Sequence, residues 1–199
     1  MATRVRQNES ALACAAQRGD KEALQQLLTH NWMWLKGLVY SILGDAGDVD
    51  DVLQDICVRV ISKIDTLREP ERFRPWLAVL ARRQALRHRQ RRTGRVGFSP
   101  PHNDGGASPT LPECDEKATQ LADGIEQKEQ CEQILEALRS LPEKYREVFM
   151  LQYGSDLAYR QIAEILDVPV TTVQIRLVRA RRMIYDRVTG KERNKVRER

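Results

Sequence analysis

The sequence predicts an all-α protein made of two small helical domains joined by an irregular linker. Apolar residues recur at helical spacing in both halves of the chain, and no convincing alternating strand pattern is present. Between Gly94 and Lys117 this periodicity stops, and glycines and prolines interrupt the segment. We therefore predict one domain over residues 10–93, a linker over 94–124, a second domain over 125–190 and a basic tail over 191–199.

The first half should hold three helices in one bundle. A stripe of leucines, valine and isoleucine from Leu24 to Ile42 predicts the first helix, with Gly44 as its C-terminal cap. Asp48 is expected to cap the second helix. The buried face of that helix is predicted to carry Val49, Val52, Leu53, Ile56, Cys57, Val60, Ile61 and Ile64. Pro75 suits the first position of the third helix, which should run to about Arg92.

The second half should begin with a helix that carries Ile125, Cys131, Ile134, Leu135 and Leu138. Pro142 should end that helix near Leu141 and open the next one, which Gly154 breaks. Two further helices are predicted, one over 159–166 and one over 171 to about 187, joined by a tight connection around Pro169. A short apolar helix, a turn of this kind and a longer arginine-bearing helix describe a helix-turn-helix, whose second helix lies in the major groove of DNA.

Composition and charge narrow the class of protein. Of the 199 residues, 41% are hydrophobic and 31% are charged, which fits a soluble chain with a packed core, and the net charge of +5 favours polyanionic partners. The first ten residues are polar, and no apolar run reaches the roughly 18 residues of a membrane span, so we expect a cytoplasmic protein.

Cysteine, histidine and serine, which often act in catalytic and metal sites, are not arranged in such motifs here. The four cysteines are scattered without a C-x-x-C pair, and the three histidines stand alone, with no nucleophile motif around any serine or cysteine. Reduced thiols are therefore expected. We predict no catalytic site, no metal and no cofactor.

Arginine is concentrated in two places. One cluster lies on the predicted third helix (Arg82, Arg83, Arg87, Arg89, Arg91, Arg92) and the other on the last helix (Arg176, Arg179, Arg181, Arg182). No comparable set of acids is interleaved to neutralise either cluster, so each is interpreted as a nucleic-acid contact. By contrast, Asp48, Asp50, Asp51 and Asp55 surround Gln54 on one helix. Such a surface repels phosphate and favours a protein partner with a basic surface.

Two sets of motifs resemble a known family. The segment Asp48-Val-Asp-Asp-Val-Leu-Gln-Asp-Ile-Cys-Val-Arg, with Arg72-Phe-Arg-Pro-Trp-Leu and Ala81-Arg-Arg-Gln-Ala-Leu, resembles region 2 of sigma-70 factors of the extracytoplasmic-function (ECF) type. The segment Leu138-Arg-Ser-Leu-Pro-Glu-Lys-Tyr-Arg-Glu-Val-Phe, with Tyr159-Arg-Gln-Ile-Ala-Glu-Ile-Leu and Thr172-Val-Gln-Ile-Arg-Leu-Val-Arg-Ala-Arg, resembles region 4. Both occur in the family's order, with an irregular segment between them.

This resemblance implies a role for each surface. Asp51, Gln54 and Asp55 fall where the family docks on the clamp helices of the largest subunit of bacterial RNA polymerase. The third helix and the loop over residues 69–74 fall where the family opens the minus-ten promoter element, which implicates Phe73, Arg82, Arg83 and Arg87. The helix-turn-helix, held by the flap of the second-largest subunit, would read the minus-thirty-five element through Thr171, Thr172, Gln174, Arg176 and Arg179. The linker would thread toward the active-site and RNA-exit channels, and an anti-sigma factor is a further partner that the resemblance leaves open.

The chain departs from the family at several positions. Arg83 stands where relatives usually carry asparagine, so the base preference at minus ten does not carry over. Ala158 and Pro169 stand where relatives cap helices with serine or threonine, and a lost cap costs about 1 kcal/mol. Ile175 replaces a usual small polar residue. Phe73 could stack on an extruded base, whereas Trp76 is in register with Leu80 and is expected in the core.

Two other classes of function compete with this interpretation. A stand-alone helix-turn-helix regulator would bind operator DNA, usually as a dimer, but it leaves the acidic surface and the other basic helix without a role. A hydrolase or nuclease would need a carboxylate cluster for metal or a nucleophile with its base, and the acids here are expected to face outward on one helix.

Overall fold

The computed structural model describes residues 2–95 and 136–189, and all regular structure within these ranges is helical. The predicted linker, apart from its first two residues, lies outside the described residues. So do the basic tail and most of the helix predicted from Ile125 to Leu138. In the described parts of the chain, no helix is both long enough and apolar enough to cross a membrane.

The N-terminal domain is a bundle of four helices rather than three. Its helices are α1 (Ala2–Gln17), α2 (Lys21–Leu43), α3 (Val49–Lys63) and α4 (Phe73–Arg95). Two single 3₁₀ turns, Ile64–Thr66 and Pro70–Arg72, connect α3 to α4. The unpredicted α1 begins eight residues before the expected domain boundary. It is rich in alanine and packs through small residues such as Ala13 and Ala16, so it shows no leucine stripe in the sequence.

Helix α2 has a cap at each end. The Asp20 carboxylate accepts hydrogen bonds from the backbone N–H groups of Glu22 and Ala23, each at 3.0 Å. Gly44 has φ of 74° and donates its N–H to Tyr40 O, which confirms its prediction as the C-terminal cap. A residue with a side chain is strained at this φ, so glycine fits here.

Helix α3 corrects two expectations. Asp48 occupies the N-cap position, but its side chain accepts no hydrogen bond from the helix. It pairs instead with Arg92, with Nη1 and Oδ2 2.7 Å apart. Ile61 was predicted to be in the core and is 59% exposed. Eight apolar positions span more of the helix circumference than the neighbouring helices cover, so the flank that carries Ile61 faces solvent.

Helix α4 begins at Phe73, two residues before the predicted start at Pro75. Pro75 is tolerated in the first turn because the first N–H groups of a helix have no intrahelical partner. Phe73 itself is only 1% exposed and belongs to the core.

The C-terminal domain contains the predicted helix-turn-helix. Its described helices are α5 (136–140), α6 (Glu143–Phe149), α7 (Tyr159–Leu166) and α8 (Val170–Val188). Pro142 precedes α6, and α6 passes into a π-helical turn, Met150–Gly154, so the predicted break at Gly154 is confirmed. Asp167 ends α7 in the left-handed conformation, with φ of 53°. Helices α7 and α8 bury Ile162, Leu166, Val173 and Leu177.

The two domains pack directly against each other. Buried residues of both belong to one continuous cluster, in which Trp34 and Leu38 of α2 join Val148 and Leu151 of the second domain. The end of the Met150 side chain fills the space above Gly37 that a side chain there would occupy. The sequence predicted two domains but gave no sign of this shared core.

Candidate nucleic-acid and protein interfaces

The outer face of α3 presents Asp51, Gln54 and Asp55 together to solvent. Val58 and Ile61 continue the same face and are 65% and 59% exposed. These residues follow one another at intervals of three or four along the helix, which places them on one side. The result is an exposed surface with acids at one end and apolar side chains at the other.

The other two acids of this cluster are engaged within the N-terminal domain. Asp50 forms an ion pair with Lys36 at 3.3 Å, and Asp48 pairs with Arg92. Arg92 also contacts Asp45 at 2.9 Å. A hydrogen bond from the Gly47 N–H, and as the second cause a hydrogen bond from Arg92, hold the pKa of the Asp45 carboxyl below its ordinary value. Within residues 2–95 and 136–189, no three side chains of His, Cys, Asp or Glu are grouped to hold a metal ion.

Helix α4 has two distinct basic faces. Arg83, Arg87 and Arg91 are spaced by four residues and are exposed. Among the residues that the structure describes, none of the three forms an ion pair. Arg91 completes this stripe but was not among the predicted minus-ten residues, although its helical spacing from Arg83 and Arg87 was visible in the sequence.

The other face of α4 is turned toward the second domain. Arg82 Nε lies 2.8 Å from Glu147 Oε1, and Arg89 Nη1 lies 2.6 Å from Glu143 Oε1. The expectation that no acids neutralise this cluster is therefore wrong for these two arginines, whose partners come from α6. It is also wrong for Arg92, which pairs with Asp45 and Asp48 as described above. Of the predicted minus-ten arginines, Arg83 and Arg87 are open to solvent and Arg82 is paired.

Of the two α6 acids that contact α4, Glu147 is the less exposed, at 6%. Burial raises the pKa of its carboxyl, and Arg82 and, more weakly, Arg176 oppose that rise. The Glu147 carboxylate therefore contacts an arginine of α4 and is attracted more weakly by an arginine of α8. No local pattern in the sequence pointed to Glu147, because its partners lie far away along the chain.

The first residues of α4, which directly follow the second 3₁₀ turn, are tightly held. Arg74 forms two short contacts with the carboxylate of Glu9, at 2.7 and 2.8 Å, and donates to Ser155 O at 3.1 Å. Because Phe73 is buried, its ring is not free to stack on a base, and the stacking role expected of it is not supported by this arrangement. Trp76 is half-buried, with its ring 5.9 Å from that of Phe73.

Helix α8 carries all five residues predicted to read duplex DNA in its first three turns. Thr171, Gln174 and Arg179 are exposed, whereas Thr172 and Arg176 are half-buried. Arg176 lies on the flank that faces Glu147, as described above. Arg179 lies beside Tyr145 and lowers the pKa of that phenol by hydrogen bonding.

The expected weakness at the start of α7 is partly offset. Ala158 has no capping hydroxyl, but its backbone N–H donates to Oε1 of Gln161 at 3.0 Å. This bond is one half of a capping box, in which the third helical residue reaches back to the cap. Pro169, before α8, has no equivalent side-chain contact. The helix-turn-helix therefore has one of its two entry points supported.

Comparison with known families matches both domains. The model for sigma-70 region 2 matches residues 27–95, and the model for sigma-70 region 4 matches residues 131–184. The chain is 28% identical to the ECF RNA polymerase sigma factor SigW of Bacillus subtilis over 174 residues, which covers 82% of this chain and 88% of SigW. It is 29% identical to the ECF RNA polymerase sigma-E factor of Haemophilus influenzae, over 90% of this chain and 95% of the relative.

Two solved structures share the fold. CnrH, solved in complex with the cytosolic domain of CnrY, has a TM-score of 0.58 and 23% identity, covering 92% of this chain and 98% of CnrH. The sigma factor RpoE of Bartonella quintana, solved with the anti-sigma factor NepR, has a TM-score of 0.59 and 18% identity, covering 83% of this chain and 96% of RpoE. With both regions matched in the family's order, the chain belongs to the sigma-70 family as an RNA polymerase sigma factor of the ECF type.

Proposed function

We propose that this sigma factor binds core RNA polymerase through α3, recognises the minus-ten element through α4 and reads the minus-thirty-five element through α8. The observation that carries the proposal is the separation of charge over the exposed surface. An acidic and apolar face on α3 stands apart from two cationic helices. A protein that only bound DNA would have no use for the first of these surfaces.

The polymerase surface is assigned to Asp51, Gln54 and Asp55, with Val58 and Ile61 beside them. Exposed acids complement a basic partner, and exposed apolar side chains gain free energy when a partner covers them. Asp50 is excluded, because its carboxylate is already paired with Lys36.

The minus-ten surface is assigned to the exposed stripe of Arg83, Arg87 and Arg91, with Arg82 added once its partner is displaced. Arginines at this spacing can follow a phosphate backbone. Trapping an extruded base would assist melting. Extrusion costs a few kcal/mol, which the protein contacts must offset.

The duplex-reading surface is assigned to the first three turns of α8, through Thr171, Thr172, Gln174, Arg176 and Arg179. The second helix of a helix-turn-helix presents its N-terminal residues to base edges in the major groove. The flap of the polymerase would hold this domain on DNA and support α8 at its uncapped entry.

The packed arrangement of the two domains bears on how promoters are bound. The minus-ten and minus-thirty-five elements are separated by about 25 base pairs, or roughly 85 Å of duplex at 3.4 Å per step. In the structure, Arg82 of α4 contacts Glu147 of α6, and α6 packs directly against α8. Both elements therefore cannot be contacted at once in this form, and we infer that the domains separate on promoter binding.

An anti-sigma factor is a further proposed partner. Both solved structures described above are complexes: CnrH is bound to the cytosolic domain of CnrY, and the sigma factor RpoE is bound to the anti-sigma factor NepR. A factor that stabilised the packed form would keep the inner face of α4 covered.

The central test is the triple variant D51A/Q54A/D55A, measured by co-purification with core polymerase and by run-off transcription on a promoter library. We expect loss of both, with an unchanged circular dichroism spectrum, because the three side chains project into solvent. The matched control is D50A, which removes an acid from the same helix but not from the outer face. If the triple variant binds polymerase like the unaltered protein, this face is not the docking surface; if the unaltered protein also fails to support transcription, the function itself is wrong.

A further inference from the structure

Helix α8 exposes two apolar side chains among polar and cationic ones. Ile175 is 53% exposed and Val178 is 62% exposed. Over residues 171–182 the other exposed side chains are those of Thr171, Gln174, Arg179, Arg181 and Arg182. The apolar pair thus lies within the surface assigned to DNA, not at its edge.

The packing of α8 fixes which way this pair points. Val173, Leu177 and Ala180 are buried on the side that faces α7 and α6. Ile175 and Val178 lie on the opposite side, three residues apart and therefore on one face. Because the buried side is anchored at three positions, rotation of the helix to hide the pair would expose its core residues.

The chemistry of DNA limits what such side chains can contact. Phosphates, sugars and most base edges in the groove are polar. The C5 methyl group of thymine is the apolar group that the major groove presents, and apolar side chains contact it. Exposed cations on the same helix, such as Arg179 and Arg182, complement the phosphates on either side. The charge around the pair therefore favours DNA over an apolar protein segment as its occupant.

The spacing along the helix fits neighbouring base pairs. Three residues of α-helix rise about 4.5 Å, and successive base pairs are about 3.4 Å apart. Two apolar side chains at this separation can each reach one of two adjacent steps. Resting on the proposed entry of α8 into the major groove, we infer that Ile175 and Val178 read thymine methyl groups at two adjacent base pairs of the minus-thirty-five element.

The test uses the full chain assembled with core polymerase. A minus-thirty-five element is first selected from random duplex DNA, and it should contain thymine, on either strand, at two adjacent base pairs. Each thymine is then replaced singly by deoxyuridine, which keeps the base pair and removes only the methyl group. We expect each of the two replacements to weaken binding about fourfold, the effect of one buried methyl-sized group.

Variants connect the effect to the two side chains. I175A/V178A should bind thymine and deoxyuridine duplexes equally, whereas the control M33A, an exposed apolar residue on α2, should keep the fourfold preference. R179A should weaken both duplexes alike. Equal binding of both duplexes by the unaltered protein, or a selected element without adjacent thymines, would overturn the inference while leaving α8 as the reader. Absence of any selected duplex element would instead overturn the proposed function of the helix.

Discussion

The two basic helices of this sigma factor differ in how much of their charge is available. Helix α8 presents Thr171, Gln174 and Arg179 to solvent, and it packs mainly against α6 and α7 of its own domain. On α4, Arg82 and Arg89 are paired with acids of α6, while Arg83 and Arg87 are exposed. The arginine runs look alike in sequence. Their availability is decided by what packs against each helix. In the packed form, Thr171, Gln174 and Arg179 of the proposed duplex-reading surface are exposed, whereas Arg82 of the proposed minus-ten surface is paired.

A substitution of Glu147 should have the largest effect on the difference in exposed charge between α4 and α8. In E147K a cation would face Arg82 at close range in a mostly buried site. Disrupting a buried ion pair so that one charge is left uncompensated costs about 3 to 5 kcal/mol, and 3 kcal/mol shifts a population more than about a hundredfold. We expect the packed form to be lost. Small-angle X-ray scattering should report a larger radius of gyration, and binding of single-stranded minus-ten DNA should tighten.

Two control variants accompany E147K. E164K makes the same charge change at the pair between Glu164 and Arg72, whose side chains are 65% and 48% exposed, and such exposed pairs contribute about 0 to 1 kcal/mol. E147Q keeps the size of the side chain and removes its charge. Burial raises the pKa of the Glu147 carboxyl, so the charged form carries a desolvation cost that glutamine does not. E164K should alter the radius of gyration far less than E147K. E147Q should lie between them, because it leaves Arg82 without its charged partner but adds no second cation. An equal change in all three would show that this carboxylate does not hold the domains together.

A smaller effect should separate two arginines of α8. Arg176 is half-buried and attracted electrostatically by Glu147, which suits a fixed contact with a base edge, whereas Arg179 is exposed beside Tyr145 and can turn to grip phosphate. R176A should cost about 1 to 3 kcal/mol and relax preference at one position. R179A should weaken all sequences alike and lower the salt slope by roughly 1. The measurement is holoenzyme binding to single-base variants of the element across a salt series; loss of preference in R179A alone would exchange the two roles.

The smallest expected effect concerns Asp45, which pairs with Arg92 near the C-terminal end of α4. The folded state lowers the pKa of Asp45, chiefly through the Gly47 N–H and then through Arg92. A lowered pKa means that the stabilisation is present above the ordinary value of 3.8 and is lost as the pH falls through the folded value. D45A should therefore reduce thermal stability at pH 7 by about 0.5 kcal/mol, discounted for exposure.

The matched control for D45A is D65A, which removes an exposed acid from the 3₁₀ turn after α3. Calorimetric melting curves of both variants and the unaltered protein, recorded from neutral to acidic pH, provide the measurement. The difference caused by D45A should shrink as the pH falls below 3.8. A difference that stayed constant over the whole range would show that the Asp45 charge does not contribute.

The elements that could be predicted from the sequence are those with local signals. The stripe of α2, its Gly44 cap, the breaks at Pro142 and Gly154 and the two helices of the helix-turn-helix all follow from residues within one or two turns of each other. The family resemblance added the assignment of regions, which the comparisons confirmed.

The features that could not be predicted from the sequence depend on distant partners or on weak patterns. Helix α1 packs through alanines and gives little periodic signal. The pairing of Arg82 with Glu147 joins residues 65 positions apart, and no local charge pattern announces it. Phe73 was placed in a loop, but the helix begins at that residue and its ring is needed in the core. Ile61 was assigned to the core because periodicity alone does not show how wide a buried face is.

The open face of α3, proposed above as the polymerase contact, has a consequence for the order of events in holoenzyme assembly. Asp51, Gln54 and Asp55 are exposed while the domains are packed together. A binding surface that exists only in a rare conformer reduces apparent affinity by the population of that conformer, and this face carries no such reduction. The first encounter with polymerase should therefore proceed at the full bimolecular rate, and separation of the domains becomes a later, unimolecular step. Time courses of assembly should then show an opening phase whose rate is independent of polymerase concentration.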